Sequence, residues 1–295
     1  YEDMATKYFG HFVFIAEALN QIDATYEGTW DSEEGFFYDR LVLPDGRSAR
    51  IKIRSIAGML SLAAVLTIKK ETLALFPKFK ASVLWFQKYR MENLKFPIIQ
   101  GFEDGEDLLL SLVPNDRLQL LVKSLLDEKE FLSPYGIRSL SKIHEEPYRI
   151  NIEGIDYSIN YEPAESTVSL FGGNSNWRGP VWMPMNYLFI QSLREYYSFC
   201  GTDMQFEYPT GSGNKMDLKQ ISNEISKRLI KMFEKDKAEK RPINLLHDKQ
   251  YTDPNFKDLV LFYEYFHGEN GRGLGASHQT GWTALVANLI EELYS

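Results

Sequence analysis

The sequence predicts a mostly α-helical fold whose long loops carry function, and three observations lead there. Apolar residues recur at helical spacing over long stretches, alternating β-type runs are confined to one short region, and glycines and aromatics concentrate between the helices. With 295 residues, 44% hydrophobic and 25% charged, the chain can bury a full core without staples.

The elements follow in order. From Met4 to Ile22 the apolar positions Ala5, Phe9, Phe12, Val13, Ala16 and Leu19 fall three and four residues apart, one face of an amphipathic helix. Gly35 to Ile53 holds two short alternating runs around Pro44-Asp45-Gly46, which predicts a β-hairpin between helices. Helices are expected over Gly58 to Ile68, Leu73 to Met91 and Asn115 to Leu126, the last opened by Pro114-Asn115-Asp116. Trp182 to Phe199 is apolar on most faces and reads as an inner helix, whereas the charged, amphipathic Asp217 to Lys237 reads as an outer one. His278 to Tyr294 closes the chain as a further apolar helix. Between these lie loops rich in glycine and aromatics at Gly101 to Gly105, Phe171 to Pro180, Thr210 to Gly213 and Phe266 to Gly275. No period of about twenty to fifty residues repeats, so no consensus solenoid is indicated. The charged run Lys231 to Arg241 reads as a solvated helix end.

Charge and cysteine content remove several function classes. The formal net charge of -8, from 33 basic and 41 acidic residues, argues against a nucleic-acid backbone as partner. The single cysteine, Cys200, excludes a disulfide framework and a Cys-based zinc site and suits a reducing, cytoplasmic location. No Asn-x-Ser/Thr sequon and no secretory signal segment occur in the sequence. No apolar run approaches the roughly eighteen residues that a membrane span needs, so no membrane partner is expected. Tyr1 in place of an initiator Met, with a helix under way at Glu2, predicts a fragment of a larger protein. Oligomeric state is not encoded in any of these features.

Two segments carry chemistry. Phe171 to Tyr187 contains Asn-Trp177-Arg178-Gly-Pro-Val-Trp182 and Asn186, and so combines indoles, which stack on the apolar face of a pyranose, with planar groups that match its hydroxyls. By composition alone the same residues also read as core aromatics and a surface cation. Leu261 to Gly275 places Glu264 among Phe262, Tyr263, Tyr265 and Phe266, where the proton affinity of a carboxylate can be tuned as a general base requires; a partly exposed glutamate at an element end is the alternative. Glu269, in the glycine-rich turn that follows, is expected to face solvent. The glycines there lack the strand-then-helix context of a nucleotide loop, and Thr210 to Lys215 lacks the phosphate-loop pattern. His11, His144, His247, His267 and His278 show no zinc-hydrolase spacing, and no serine lies in a nucleophile elbow. Neither a metal nor a cofactor is expected, and carboxylates with aromatics remain, the equipment of glycosidic bond cleavage.

At these residues the chain resembles glycoside hydrolase family 63. Trp30-Asp-Ser-Glu-Glu-Gly-Phe-Phe-Tyr-Asp39, Trp177-Arg-Gly-Pro-Val-Trp182, Tyr263-Glu-Tyr265 and Gly281-Trp282-Thr283 match its motifs in order across nearly the whole chain. The resemblance implies an all-α (α/α)6 toroid of the six-hairpin glycosidase type, here a partial barrel with a short β-hairpin insertion. Residues 1–295 would form a single domain, the C-terminal portion of a larger catalytic domain. It further implies an inverting hydrolase of α-glucosides or related α-glycosides, with a small carbohydrate or oligosaccharide as partner. Glu264 matches the general base, and the general-acid aspartate falls upstream of this chain. Asp31 and Asp39 are the nearest local aspartates, and their hairpin context predicts structural or rim roles. Arg178, Trp182 and Asn186 would line the glycone subsite with Trp177 beside it, and Arg54, Tyr135 and Arg138 would be further, weaker candidates for hydroxyl contacts. A non-catalytic carbohydrate-binding or scaffolding toroid is the competing reading; a lyase or phosphorylase on the same barrel would need other groups.

Overall fold

A computed structural model describes residues 1–20, 28–89, 98–101, 106–167, 177–247 and 249–294. Among them the chain divides into two compact units: Tyr1–Ile53, Ala57–Val122 and Ser192–Met204 in the first, and Arg54–Ile56, Lys123–Gln191 and Gln205–Ser295 in the second.

The first unit is built on a helix pair. The Glu2–Asn20 helix buries Phe9, Val13 and Ala16, and the Pro77–Tyr89 helix buries Phe79, Val83 and Phe86, so each presents one stripe at helical spacing. Phe9 meets Phe79 and Phe86 edge-on, with ring centroids 5.9 and 5.6 Å apart, the geometry that aromatic quadrupoles favour. Leu73, Ile98, Ile99, Leu108, Leu110 and Leu112 complete this core. A three-stranded antiparallel sheet has Leu108–Ser111 at its centre, flanked by Val65–Ile68 and Ile99–Gly101.

The expected hairpin is present. Asp39–Val42 pairs with Ser48–Ile51, and Gly46 in the turn adopts a φ of +85° that only glycine takes at little cost. Asp31 is buried beside it. Its carboxylate accepts from the Glu33 and Glu34 amides at 3.0 and 3.1 Å and from Arg50 at 3.0 Å, and Lys52 lies at 3.2 Å. Asp31 is therefore a brace of the hairpin, whereas Asp39 is exposed.

Two helix expectations are corrected here. Gly58 to Ile68 is not one helix: Ile56–Met59 and a 3-10 turn at Leu60–Ala63 give way to the strand Val65–Ile68, because β-branched Val65, Thr67 and Ile68 pair with Leu108–Ser111. The helix expected from Leu73 is two, Lys70–Ala74 and Pro77–Tyr89, since Pro77 fits a first helical position but not an interior one.

The second unit mixes helices with short β-pairs. Met183–Cys200 begins here as a helix. Leu218–Ile230 is opened by a capping box between Asp217 and Gln220 and buries Leu218, Ile221, Ile225 and Leu229. Short antiparallel pairs join Leu132–Ser133 to Gly136–Ile137, Gln205–Glu207 to Lys215–Asp217, and Tyr265–Phe266 to Gly273–Leu274. Tyr148–Ile152 and Ile155–Ile159 form a hairpin turned by Glu153 and Gly154, both at positive φ.

The described residues thus hold seven small sheets, where a single hairpin insertion was expected. Isolated bridges join Arg138 to Val181 and Val181 to Phe266. Through them the segments carrying Arg138, Trp182 and Glu264 are hydrogen-bonded side by side.

Candidate active site

The site sits on that bridged set of segments in the second unit. Val181 and Phe266 exchange both backbone hydrogen bonds, at 2.8 and 2.9 Å, so Trp182 and Tyr265, each one residue further along, fall on a common face. Their rings stack at 4.8 Å and 20°. Trp177 stacks on the far side of Trp182 at 4.2 Å and 5°, and Trp282 meets Trp182 edge-on at 5.7 Å. Trp182 and Tyr265 are buried while Trp177 is 41% exposed, so the stack runs from the interior to the surface. Such an open indole face suits the CH face of a sugar ring. The buried indole N–H of Trp282 has no acceptor among the described residues.

Glu264 adjoins the stack. Its amide donates to the Ala276 carbonyl at 2.9 Å, and its Oε2 accepts from the Ala276 amide at 3.0 Å. Among the described residues Oε1 makes no hydrogen bond, so one carboxylate oxygen is anchored and the other is available to a water or ligand. The side chain is half-buried. Gly275 explains the close fit: its φ is +69°, and a Cβ there would lie 2.5 Å from Glu264 Oε2. Burial, followed by the negative charges of Glu165 and Glu264, pushes the Tyr265 phenol up to about 12. Tyr265 is therefore a neutral hydroxyl beside the carboxylates.

The remaining sequence candidates differ in exposure. Tyr135 is half-buried and packs at the hairpin tip, where a Cβ on Gly271 would meet its ring at 2.8 Å. Asn186 is fully buried: its Oδ1 accepts from the Ile137 amide at 2.6 Å, and its Nδ2 donates to the Ile137 and Trp182 carbonyls at 3.1 and 2.9 Å. Its amide pins two segments together and retains no free donor. Arg178 is 1% exposed and lies 3.9 Å from Glu162 Oε2, while its carbonyl accepts from the Glu162 amide at 2.6 Å. Arg54 donates to Glu130 at 2.7 Å and to Ser124 at 2.7 Å. Its amide donates to His144 Nε2 at 2.9 Å. Phe171 to Asn176 of the motif lie outside the described residues.

Arg138, only 2% exposed, is likewise held by protein groups. One of those partners is Glu269, which corrects the expectation that Glu269 faces solvent. Its Oε1 accepts from Tyr161 Oη at 2.6 Å and from Arg138 at 3.0 and 3.2 Å. Burial opposes its charge, yet the Tyr161 hydrogen bond and the Arg138 guanidinium hold the carboxyl below its ordinary value. Tyr161 and Glu269 were not legible as neighbours of Arg138, because their partners are distant in sequence. The alternation around Glu153-Gly154, which delivers Tyr161, was the available signal. Among the described residues no group of three or more His, Cys, Asp or Glu side chains is arranged to hold a metal ion.

The bridged segments thus present a stacked aromatic face flanked by an anchored carboxylate. Residues 78–292 match the model of the glycosyl hydrolase family 63 C-terminal domain, and the chain belongs to that family. It is 41% identical, over 99% of its length, to the uncharacterized protein YMR196W of Saccharomyces cerevisiae, of which it covers 28%. It is 28% identical over 66% of its length to a probable mannosyl-oligosaccharide glucosidase of Schizosaccharomyces pombe, and 27% identical over 68% to the mannosyl-oligosaccharide glucosidase of Saccharomyces cerevisiae. The chain covers 18% of each glucosidase and so spans less than a third of these relatives. Membership of the family implies a helical toroid fold.

Proposed function

We propose that the chain carries the general-base half of an inverting glycoside hydrolase acting on α-linked glucosides or related α-glycosides, within an (α/α)6 catalytic domain. The observation that carries this reading is Glu264 itself, with Oε2 fixed by the Ala276 amide beside the Trp177, Trp182 and Tyr265 stack. A sugar ring stacked on Trp177 would present its anomeric carbon to a water held by Oε1. Glu264 would take the proton of that water as it attacks from the face opposite the leaving group, and the anomeric configuration inverts. The general acid is an aspartate outside this chain, with roughly 6.5 to 9.5 Å between the two carboxyls so that the water fits. The relatives named as mannosyl-oligosaccharide glucosidases favour glucose at the cleaved position. A single cysteine is compatible with a reducing, cytoplasmic location.

The test is the anomer first released from an α-glucoside by the full-length protein, followed by proton NMR within seconds of mixing. The expected product is the β-anomer, mutarotating later. First release of the α-anomer would contradict direct attack by an activated water. Sugar binding without any cleavage, in a full-length sequence lacking the upstream aspartate, would instead indicate a non-catalytic carbohydrate-binding or scaffolding toroid.

A further inference from the structure

The reading of Glu264 as base raises the question of what holds it in place. Glu264 leads directly into the Tyr265–Phe266 strand, which pairs with Gly273–Leu274; Glu269 lies at the tip of this hairpin, five residues from the base. We infer that Glu269, Arg138 and Tyr161 form a latch on that tip, with Glu269 a positioning residue for Glu264; the inference rests on the base reading.

Each partner in the latch is itself fixed. Arg138 Nη1 donates to the Leu132 carbonyl at 2.5 Å and to the Glu128 and Glu130 carbonyls at 3.3 Å, so its guanidinium is immobile before it meets Glu269. Lys142 Nζ stands 3.6 Å from Glu269 Oε2. The Glu269 amide donates to His267 Nδ1 at 3.1 Å, which shapes the tip. The Gly268 amide donates to the Pro163 carbonyl at 2.8 Å, and a Cβ on Gly268 would lie 2.7 Å from Tyr161 Oη. The hairpin is equally close-packed along its length, since a Cβ on Gly273 would lie 2.1 Å from the Tyr263 ring. A restraint at the tip is therefore transmitted to the end that carries the base.

An ion pair with Arg138 buried and Glu269 a third exposed is weak grounds for stability, because desolvation and solvent screening offset most of its Coulombic gain. Its geometric effect is stronger. Reacting groups tolerate little displacement, and a shift of about 1 Å can cost on the order of 100-fold in rate. The latch thus acts on turnover rather than on substrate affinity.

The experiment uses the full-length protein and the isosteric variants Glu269→Gln, Tyr161→Phe and their combination, with Glu264→Gln alongside. With an α-glucoside as substrate, each single variant is expected to lose about ten-fold or more in kcat with KM within about two-fold, and the double variant to lose little more than the worse single, as residues acting as one unit do. Wild-type kcat in both single variants, with Glu264→Gln inactive, overturns the latch and leaves the base reading standing. Full activity in Glu264→Gln removes the base and the inference with it. Independently of any substrate, amide hydrogen exchange across residues 262–276 is expected to accelerate in Glu269→Gln, and unchanged exchange there would overturn the latch.

Discussion

His144 shows how a single residue can tie the second unit together and make it sensitive to acid. Its Nε2 accepts the Arg54 amide at 2.9 Å, which only a neutral imidazole can do. Burial, and then the charge of Arg54, lowers its pKa from 6.5 to about 4. The unfolded chain therefore binds the proton more readily than the folded one. The contribution of His144 is complete above about pH 6.5 and falls away toward about pH 4, a difference of about 3 kcal/mol at full effect. In His144→Gln the melting temperature is expected to vary less with pH across this window. A melting profile as steep as that of wild type would show that other groups set the acid response. Asn186, Arg138 and Arg54 make the same point by geometry. Asn186 was named for its residue type and Arg54 and Arg138 for the family resemblance, and in the structure all three bond to protein groups: backbone, hydroxyls, and carboxylates brought in from far along the chain. Sequence spacing of itself carries no information about those partners.

The same limit governs the elements. Helices with a long apolar stripe were legible, as Glu2–Asn20, Asn115–Leu125 and Leu218–Ile230 show, because their periodicity is local. The Val65–Ile68 strand was not, since its β-form depends on pairing with Leu108–Ser111, some forty residues on. The hairpin over Tyr265–Phe266 and Gly273–Leu274 lies between these cases. Its aromatic and carboxylate content was readable, whereas the reason for its glycines was steric and appears only once the segments are packed. Gly275 puts this to the test. Its positive φ, and the 2.5 Å that would separate a Cβ at this position from Glu264 Oε2, predict that Gly275→Ala displaces the carboxylate and costs about 10- to 100-fold in activity. Gly281→Ala, at a position with no heavy atom within 4 Å of a Cβ, is expected to be silent. Equal activity in the two variants would show that the fit around Glu264 has no part in turnover.

For the whole molecule, the family was legible because four motifs recur in order along the chain, and the match over residues 78–292 agrees with it. An acidic chain with net charge -8, an aromatic stack and an anchored carboxylate together favour a neutral, hydroxyl-rich ligand over a polyanion. What the sequence could not supply was the arrangement around Glu264 among the described residues: Oε2 fixed by a backbone amide, no hydrogen bond on Oε1, and a tyrosine-tryptophan stack alongside. The central claim is that this carboxylate activates the attacking water. It is tested most directly by comparing sugar release from an α-glucoside by the full-length protein and by its Glu264→Gln variant, which keeps the shape and removes the base. The account predicts a fall of several orders of magnitude in kcat with substrate binding retained; equal turnover by the two proteins would contradict it.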